Sequence, residues 1–517
     1  MPRKNSQGEK EGKPAGAKRD RQPESRTILL TGASGYVGSK LLGLLQRRRE
    51  KLRCLARRPE KVLSICAKST EVVEGDVFDA ASLKRAMEGV DTAYYLIHCL
   101  HCEGDFEAMD RRAAENFASA AKDAGVKRII YLGGLAEPGP NLSPHLRSRH
   151  EVGRILRECG VETVEFRASV VIGTGSLSFE LVRALVERLT VMICPRWVRV
   201  PAQPIFISDV LAYLVAGLDQ APGESRIYEI GSPDRVSYAE IMQEYARRRK
   251  LSRLMIPVRV LTPGLSSLWL ALVTPLYKRV GRRLIEGVRN PSVVKNHEAL
   301  DAFPIRPISL RRAIGETLAN EERQFAEKPM SQLEGIPPGE PARKIVRVAN
   351  RILDYRAVKV NVGRMRAFAP VRRIGGGAGW YYGNRLWDIR GWLDILFGGP
   401  GFKRRRRDPD KLRKGDRIDC WQVEIYDPGH RLRLRAEMKL PGRAWLEFEV
   451  VGDERSSVIR QTAAFEPGGL AGLAYWTLVL PIHNMMFNGM LEAIAREAQS
   501  DRPAPSNRFA CRPARRS

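Results

Sequence analysis

The sequence predicts an α/β protein, a doubly wound parallel sheet, followed by a second domain in which an antiparallel sheet grips a helix. Three observations carry this. Thr31–Gly38 reads TGASGYVG between the apolar run Thr27–Leu30 and the amphipathic segment Lys40–Leu45, which is strand, tight glycine turn, helix. Short continuous apolar runs then alternate with helical segments, as parallel strands buried on both faces require. Beyond Pro341 apolar and polar residues alternate one by one, as in an antiparallel sheet with one wet face.

The glycine turn comes first. Gly32 can take a turn conformation that a side chain disfavours. Gly35 lets the backbone approach a pyrophosphate, and Gly38 lets the helix pack closely on the strand. Thr31, Ser34, Tyr36 and Val37 complete the loop. Phosphates would lie at the helix N-terminus, where unpaired N–H groups favour anions. The stretch therefore reads as a dinucleotide site. The second strand, Lys51–Ala56, ends in Arg57-Arg58-Pro59. An NAD-preferring site carries an acidic residue in this region, whereas guanidinium groups suit a 2′-phosphate. NADP is the favoured cofactor, with NAD the alternative if the two arginines are merely solvated. A third strand, Glu71–Asp76, precedes a helix over Ala80–Glu88 capped by Asp79. Thr92–His98 is the fourth strand, Ala113–Ala124 a helix, and Arg128–Leu132 the fifth strand, stopping at Gly133-Gly134.

TGASGYVG, VEGDVFD, the strand ending IIYLGG and SRHEVGRILRECGVETVEFRAS together resemble the atypical short-chain dehydrogenases/reductases, a Rossmann family. The NmrA-like branch and the relatives of the NADPH-binding accessory subunit of respiratory complex I are most similar, over about Thr27–Glu327. The resemblance implies that the glycine loop holds the pyrophosphate, that Asp76 and Val77 lie near the adenine, and that Leu96, Ile97 and His98 run beneath the nicotinamide ribose. Active members carry Tyr-x-x-x-Lys and a strand-end serine. On that register His145 stands for the tyrosine, Arg149 for the lysine, and Gly133 or Gly134 for the serine. Arg149 can hold a ribose hydroxyl but exchanges no proton at neutral pH. His145 either does acid/base work or is an exposed loop histidine after Pro144.

Val182–Arg188 and Trp197–Pro201 would form the smaller substrate-side part, and Ser237–Arg248 an amphipathic helix. Val260–Val280 carries an apolar stretch between two Thr-Pro pairs, with a basic flank. It covers a pocket or a second domain, or lies on an anionic membrane. The expected organisation is a basic tail over 1–26, the NAD(P)-binding domain over 27–327, a Pro/Gly/Glu-rich linker over 328–342, the second domain over 343–498, and a tail over 499–517.

In the second domain Ile374–Tyr382 reads as a glycine turn entering an aromatic segment. Arg431–Leu440 alternates strictly, and Trp421–Tyr426, Trp445–Val450 and Val458–Phe465 are further strands joined by hairpins. A long apolar helix follows in Leu470–Ala498. The region resembles an uncharacterised domain found after such reductases and, more loosely, the helix-grip SRPBCC folds, which implies an apolar small-molecule ligand. His483 reads as packing on that helix.

The net charge is +28. Much of it lies in the tails and in the run Lys403–Arg407, which are solvated or attract polyanions. No specific nucleic-acid partner follows, since no aromatic residue interleaves the N-terminal tail. Scattered cysteines and a polar start suggest the cytoplasm, with peripheral contact at the inner face of a membrane. Cys99-x-x-Cys102 lacks a second ligand pair, so no metal is expected. No apolar run reaches the roughly 18–20 residues of a membrane span, Leu470–Met486 being interrupted by Pro481 and His483. The functional expectation is an NADP(H)-dependent oxidoreductase acting on, or carrying, a quinone, polyketide or lipid without the usual triad. The alternative is a non-catalytic NADP(H)-binding sensor or assembly factor.

Overall fold

In a computed structural model the chain is described over residues 26–99, 104–258, 287–333, 343–396, 406–408 and 410–500. Seven parallel strands form the first sheet: β1 (Thr27–Thr31), β2 (Lys51–Ala56), β3 (Glu71–Glu74), β4 (Thr92–Tyr95), β5 (Arg128–Gly134), β6 (Glu162–Ala168) and β7 (Arg226–Ile230). Their order is β7-β6-β5-β4-β1-β2-β3, so the chain reverses direction between β1 and β4, where such sheets bind ligands. Alternate residues of each strand enter opposite cores. Ile28, Leu30, Tyr94 and Ile130 join one cluster; Leu29, Ala93, Tyr95 and Ile129 join the other. That two-sided burial explains the continuous apolar runs.

Helix α1 (Tyr36–Leu45) follows the glycine turn. Asp79 caps α2 (Ala80–Met87), accepting from Ala81 and Ser82 N–H. The helix expected over 113–124 starts earlier, at Phe106, and runs to Asp123 as α3, because Asp105 supplies the N-cap. Ser143 caps α4 (Pro144–Glu158). His145 thus lies in the first turn of a helix and not in a loop. Helix α5 (Leu310–Glu327) leads out of this layer.

The second sheet is antiparallel throughout, with strands β8 (Lys344–Val348), β9 (Arg351–Val360), β10 (Arg417–Ile418), β11 (Trp421–Asp427), β12 (Arg431–Ala436), β13 (Gly442–Gly452) and β14 (Ser457–Pro467) in the order β8-β9-β14-β13-β12-β11-β10. Helices α6 (Arg364–Arg373), α7 (Asn384–Leu396) and α8 (Gly469–Gln499) lie with this sheet. Phe487, Met490, Leu491 and Ile494 of α8 pack with Leu432, Leu434, Leu446 and Phe448 of the strands.

Four expectations need correction. The second sheet's polar face is wet only in part: Arg435 is exposed, but Arg433 is fully buried, bonded to Glu447 and to the carbonyl oxygens of Phe325 and Lys328 at the end of α5. The expected linker begins as packed chain, since Met330 and Leu333 are buried and Met330 N–H donates to Glu447 at 2.6 Å. Helix α8 is long and apolar enough to cross a membrane by length and composition, because Pro481 and His483 fall inside it without ending it. The run Lys403–Arg407 is not wholly solvated either. Arg406 donates to the carbonyl oxygens of Ile374 and Arg372, closing the end of α6, and Arg407 pairs with Asp416. Residues 1–25 and 501–517 of the two tails, Val260–Val280 and Cys102 lie outside the described residues.

Candidate functional site

The glycine turn sits at the C-terminal edge of the parallel sheet. Gly32 has φ +74°, and a Cβ there would stand 2.6 Å from Leu96 O, the first residue past β4. A Cβ on Gly38 would stand 2.1 Å from Gly32 O, so helix and turn touch backbone to backbone. Gly35 differs: its φ is −80°, its Cβ would meet only Gly32 O at 3.1 Å, and it is exposed. It is the N-cap of α1, and no side chain caps that helix, whereas Asp79, Asp105 and Ser143 cap α2, α3 and α4. The first-turn N–H groups of α1 therefore face outward without a side-chain acceptor, which fits a pyrophosphate. Ser34 is exposed beside them, with Tyr36 and Val37 partly buried behind. Thr31 is buried, its hydroxyl donating to Tyr94 O at 2.7 Å and tying β1 to β4 beneath the loop.

Because the strands are parallel, the other expected residues follow the same edge. Arg57 and Arg58 are exposed past the end of β2 and make no ion pair among the described residues. Asp76 and Val77 follow β3. The Asp76 carboxylate accepts from Phe78 N–H, and Val77 is buried with its carbonyl held by Asn116. Leu96, Ile97 and His98 continue β4, partly exposed. These positions would hold phosphates at α1, the adenosine end at β2–β3 and the nicotinamide end at β4–β5.

At that last end His98, His145 and Arg149 come together. Arg149 donates to Leu132 O and, at 3.4 Å, to Ile97 O, and lies 4.8 Å over the Tyr131 ring. It bridges the ends of β4 and β5. The His145 ring is 5.0 Å from that of His98. Burial, with His98 and the Arg149 guanidinium beside it, pushes His145 down to about 3, so its imidazole is neutral at physiological pH. Gly133 and Gly134 stand at the end of β5. A Cβ on Gly134 would be 2.9 Å from Leu146 Cδ2, and one on Gly133 3.1 Å from Glu165 Oε1. The neighbouring side chains fill the space where a strand-end serine would project.

Sequence reasoning missed a carboxylate beneath this cluster. Asp110, buried on α3, accepts from His98 Nδ1 (3.0 Å), Cys99 N–H (2.8 Å) and Ser148 Oγ (2.8 Å). Burial would raise its pKa, but those bonds prevail and hold it at about 2. The signal was its place one turn before Ala113, Ala114 and Phe117 on the apolar stripe of the helix.

The second sheet carries a separate cavity of about 780 Å³ between α7, α8 and the strands. Trp387, Trp421, Trp445, Phe465 and Trp476 line it, with His483 the one histidine. His483 is not simple packing: its Nε2 lies 2.9 Å from Asp354 Oδ2 on β9, and Arg356 bonds the same carboxylate at 2.5 Å.

Comparison with known proteins agrees with this division. Residues 32–163 match a family described as NAD(P)H-binding, and residues 349–490 match a family described as of unknown function (DUF2867). A (4-alkanoyl-5-oxo-2,5-dihydrofuran-3-yl)methyl phosphate reductase of Streptomyces griseus is 29% identical over 293 residues, 54% of this chain and 94% of that relative. A 4-hydroxy-2-methyl-3-oxo-4-farnesyl-3,4-dihydroquinoline-1-oxide ketoreductase of Stigmatella aurantiaca is 27% identical over 106 residues, 20% of this chain and 32% of that relative. The structure of a Citrobacter sp. triphenylmethane reductase aligns at 18% identity and a TM-score of 0.48, covering 57% of this chain and 99% of that one. Residues 32–163 thus carry an NAD(P)H-binding domain, and an uncharacterised DUF2867 region follows at residues 349–490.

Proposed function

We propose that this protein is an NADP(H)-dependent reductase acting on an apolar acceptor such as a quinone, polyketide or lipid, and that its second domain holds such a molecule. One observation carries the cofactor half: the uncapped N-terminus of α1 opens at Gly35 in line with the exposed Arg57–Arg58 pair and the Leu96–His98 edge. When bound, NADPH supplies the hydride. The chain's own residues hold and orient it. Gly32–Gly38 would bind the pyrophosphate, Arg57 and Arg58 the 2′-phosphate, and Arg149, fixed by Ile97 O and Leu132 O, would border the ribose. The similarity to reductases of alkanoyl- and farnesyl-bearing substrates supports an apolar acceptor.

NADP over NAD is testable directly. Arg57→Ala with Arg58→Ala should weaken NADPH binding at least tenfold more than NADH binding, since one charge-assisted bond contributes roughly 1.5–3 kcal/mol. Fluorescence titration of both nucleotides measures it, and equal losses would remove the 2′-phosphate reading. A second reading, a non-catalytic NADP(H) sensor or assembly factor, is favoured by the neutral His145 and the filled space at Gly134. The two separate on turnover: NADPH consumed by a copurifying apolar molecule supports the reductase, and saturable binding without consumption supports the sensor.

The proposal includes contact with an anionic membrane from the cytoplasmic side. From Gly469 to Leu491, α8 contains no charged residue, and Leu470, Leu478, Ile482 and Met485 are exposed on it. On α7, Ile389, Trp392 and Leu396 are exposed at spacings of three and four, Trp392 at 76%. Ile389 and Ile482 also line the cavity, so this apolar surface is continuous with its mouth. The +28 charge supplies attraction to anionic headgroups. Phosphatidylcholine vesicles containing phosphatidylglycerol should float the protein, and Trp392→Glu with Leu478→Glu should abolish flotation. Flotation unchanged by those substitutions would exclude this face.

A further inference from the structure

The second-domain cavity is almost wholly apolar in its lining, yet one polar group at its wall is held in a fixed geometry. His483 is buried, and its ring is clamped between Phe487 (centroids 4.0 Å apart) and Trp476 (5.0 Å). Nε2 faces Asp354, whose carboxylate is fully buried and is also approached by Arg356 and by Arg343, the latter at 3.6 Å. Burial, more than the carboxylate beside it, sets the imidazole below its ordinary pKa, so it is neutral. With Nε2–H donated to the carboxylate, Nδ1 carries the lone pair, and it makes no hydrogen bond among the described residues. A lone pair left unpaired on an apolar, aromatic wall offers an acceptor to a ligand that brings a donor.

We infer that the cavity binds an aromatic molecule bearing a hydroxyl, with His483 Nδ1 accepting the hydroxyl hydrogen and the Trp387, Trp421, Trp445, Trp476 and Phe465 walls enclosing the apolar body. This rests on the apolar-ligand part of the function proposed above and deepens it. The site would take the hydroxyl-bearing, reduced form of a quinone in preference to the oxidised form, because a quinone carbonyl presents a second acceptor to Nδ1. About 780 Å³ is ample for a molecule of that kind. Asp354 is a positioning residue, fixing which ring nitrogen carries the proton.

The test compares two probes of similar shape, 1-naphthol and 1-methoxynaphthalene, titrated calorimetrically into the full chain without nucleotide. Naphthol should bind on the order of tenfold more tightly, the ratio expected of one added hydrogen bond. His483→Phe should bring the two affinities together while keeping ether binding. In wild-type protein labelled with ¹⁵N-histidine, naphthol should shift the pyridine-type Nδ1 resonance of His483, and the ether should not. That measurement stands even if His483→Phe fails to fold. Equal affinities in the wild type, a preference that survives His483→Phe, or an unmoved Nδ1 resonance would each overturn the assignment. NADPH is titrated into the same preparation. Its failure to bind would count against the reductase and leave the naphthol result standing.

Discussion

Gly35→Asp is expected to abolish NADP(H) binding, by about 100-fold or more, while leaving the apo fold as stable as before. The reason lies in the conformation of that residue. Its φ of −80° and ψ of 172° are open to any L-residue, and a Cβ meets nothing but Gly32 O at 3.1 Å. Asp is among the preferred N-cap residues, and its carboxylate would accept from the first-turn N–H groups of α1, which changes helix stability by only about a few tenths of a kcal/mol relative to Gly. Those are the groups the pyrophosphate needs. The nucleotide would lose two or more charge-assisted bonds, each roughly 1.5–3 kcal/mol, and meet a like charge. Gly38→Ala makes the contrast: its Cβ would lie 2.1 Å from Gly32 O, so binding and stability should fall together. Denaturation curves run beside NADPH titrations separate the two behaviours. A Gly35→Asp variant that still binds NADPH would take away the basis for placing the cofactor at this turn.

That site was legible because its parts are local. A positive φ at Gly32, a backbone contact at Gly38 and an open N-cap at Gly35 all follow from residues within one turn, and parallel strands carry Arg57, Asp76 and Leu96 to the same edge. The chemistry at the nicotinamide end was less legible. His145 is neutral chiefly because it is buried, with His98 and Arg149 converging on it from the end of β4 and from the next helical turn, a three-way contact that no spacing shows. In the second domain the strands were readable by alternation, yet alternation tells only that two faces differ. It assigned Arg433 to water, although a second layer covers that face. Asp354 and Arg356 stand two apart on one face of β9 and meet His483 from a helix more than a hundred residues later. Long-range polar pairs of this sort leave no periodic trace.

The buried contact between the layers yields the second large effect. Arg433→Met should destabilise the protein by about 3–5 kcal/mol, because it leaves Glu447 buried without its partner. Arg433 Nε bonds Glu447 Oε2 at 2.6 Å, and its two terminal nitrogens hold the carbonyl oxygens of Phe325 and Lys328, where α5 ends. Those orphan carbonyls would lose their donors at the same time. Burial already pushes the Glu447 carboxyl above its usual range even with the guanidinium beside it, so the pair compensates its own desolvation only in part. Replacing both groups should therefore be milder than replacing one: Arg433→Met with Glu447→Met removes the stranded charge and should recover at least half of the loss, the remainder being the unbonded carbonyls and Met330 N–H. Urea denaturation followed by tryptophan fluorescence measures the cycle, since Trp445 packs on Phe325 across this boundary, ring centroids 5.0 Å apart. A single variant that costs less than about 1 kcal/mol, the range of an exposed pair, would mean that water reaches Arg433 and that the two layers separate in solution.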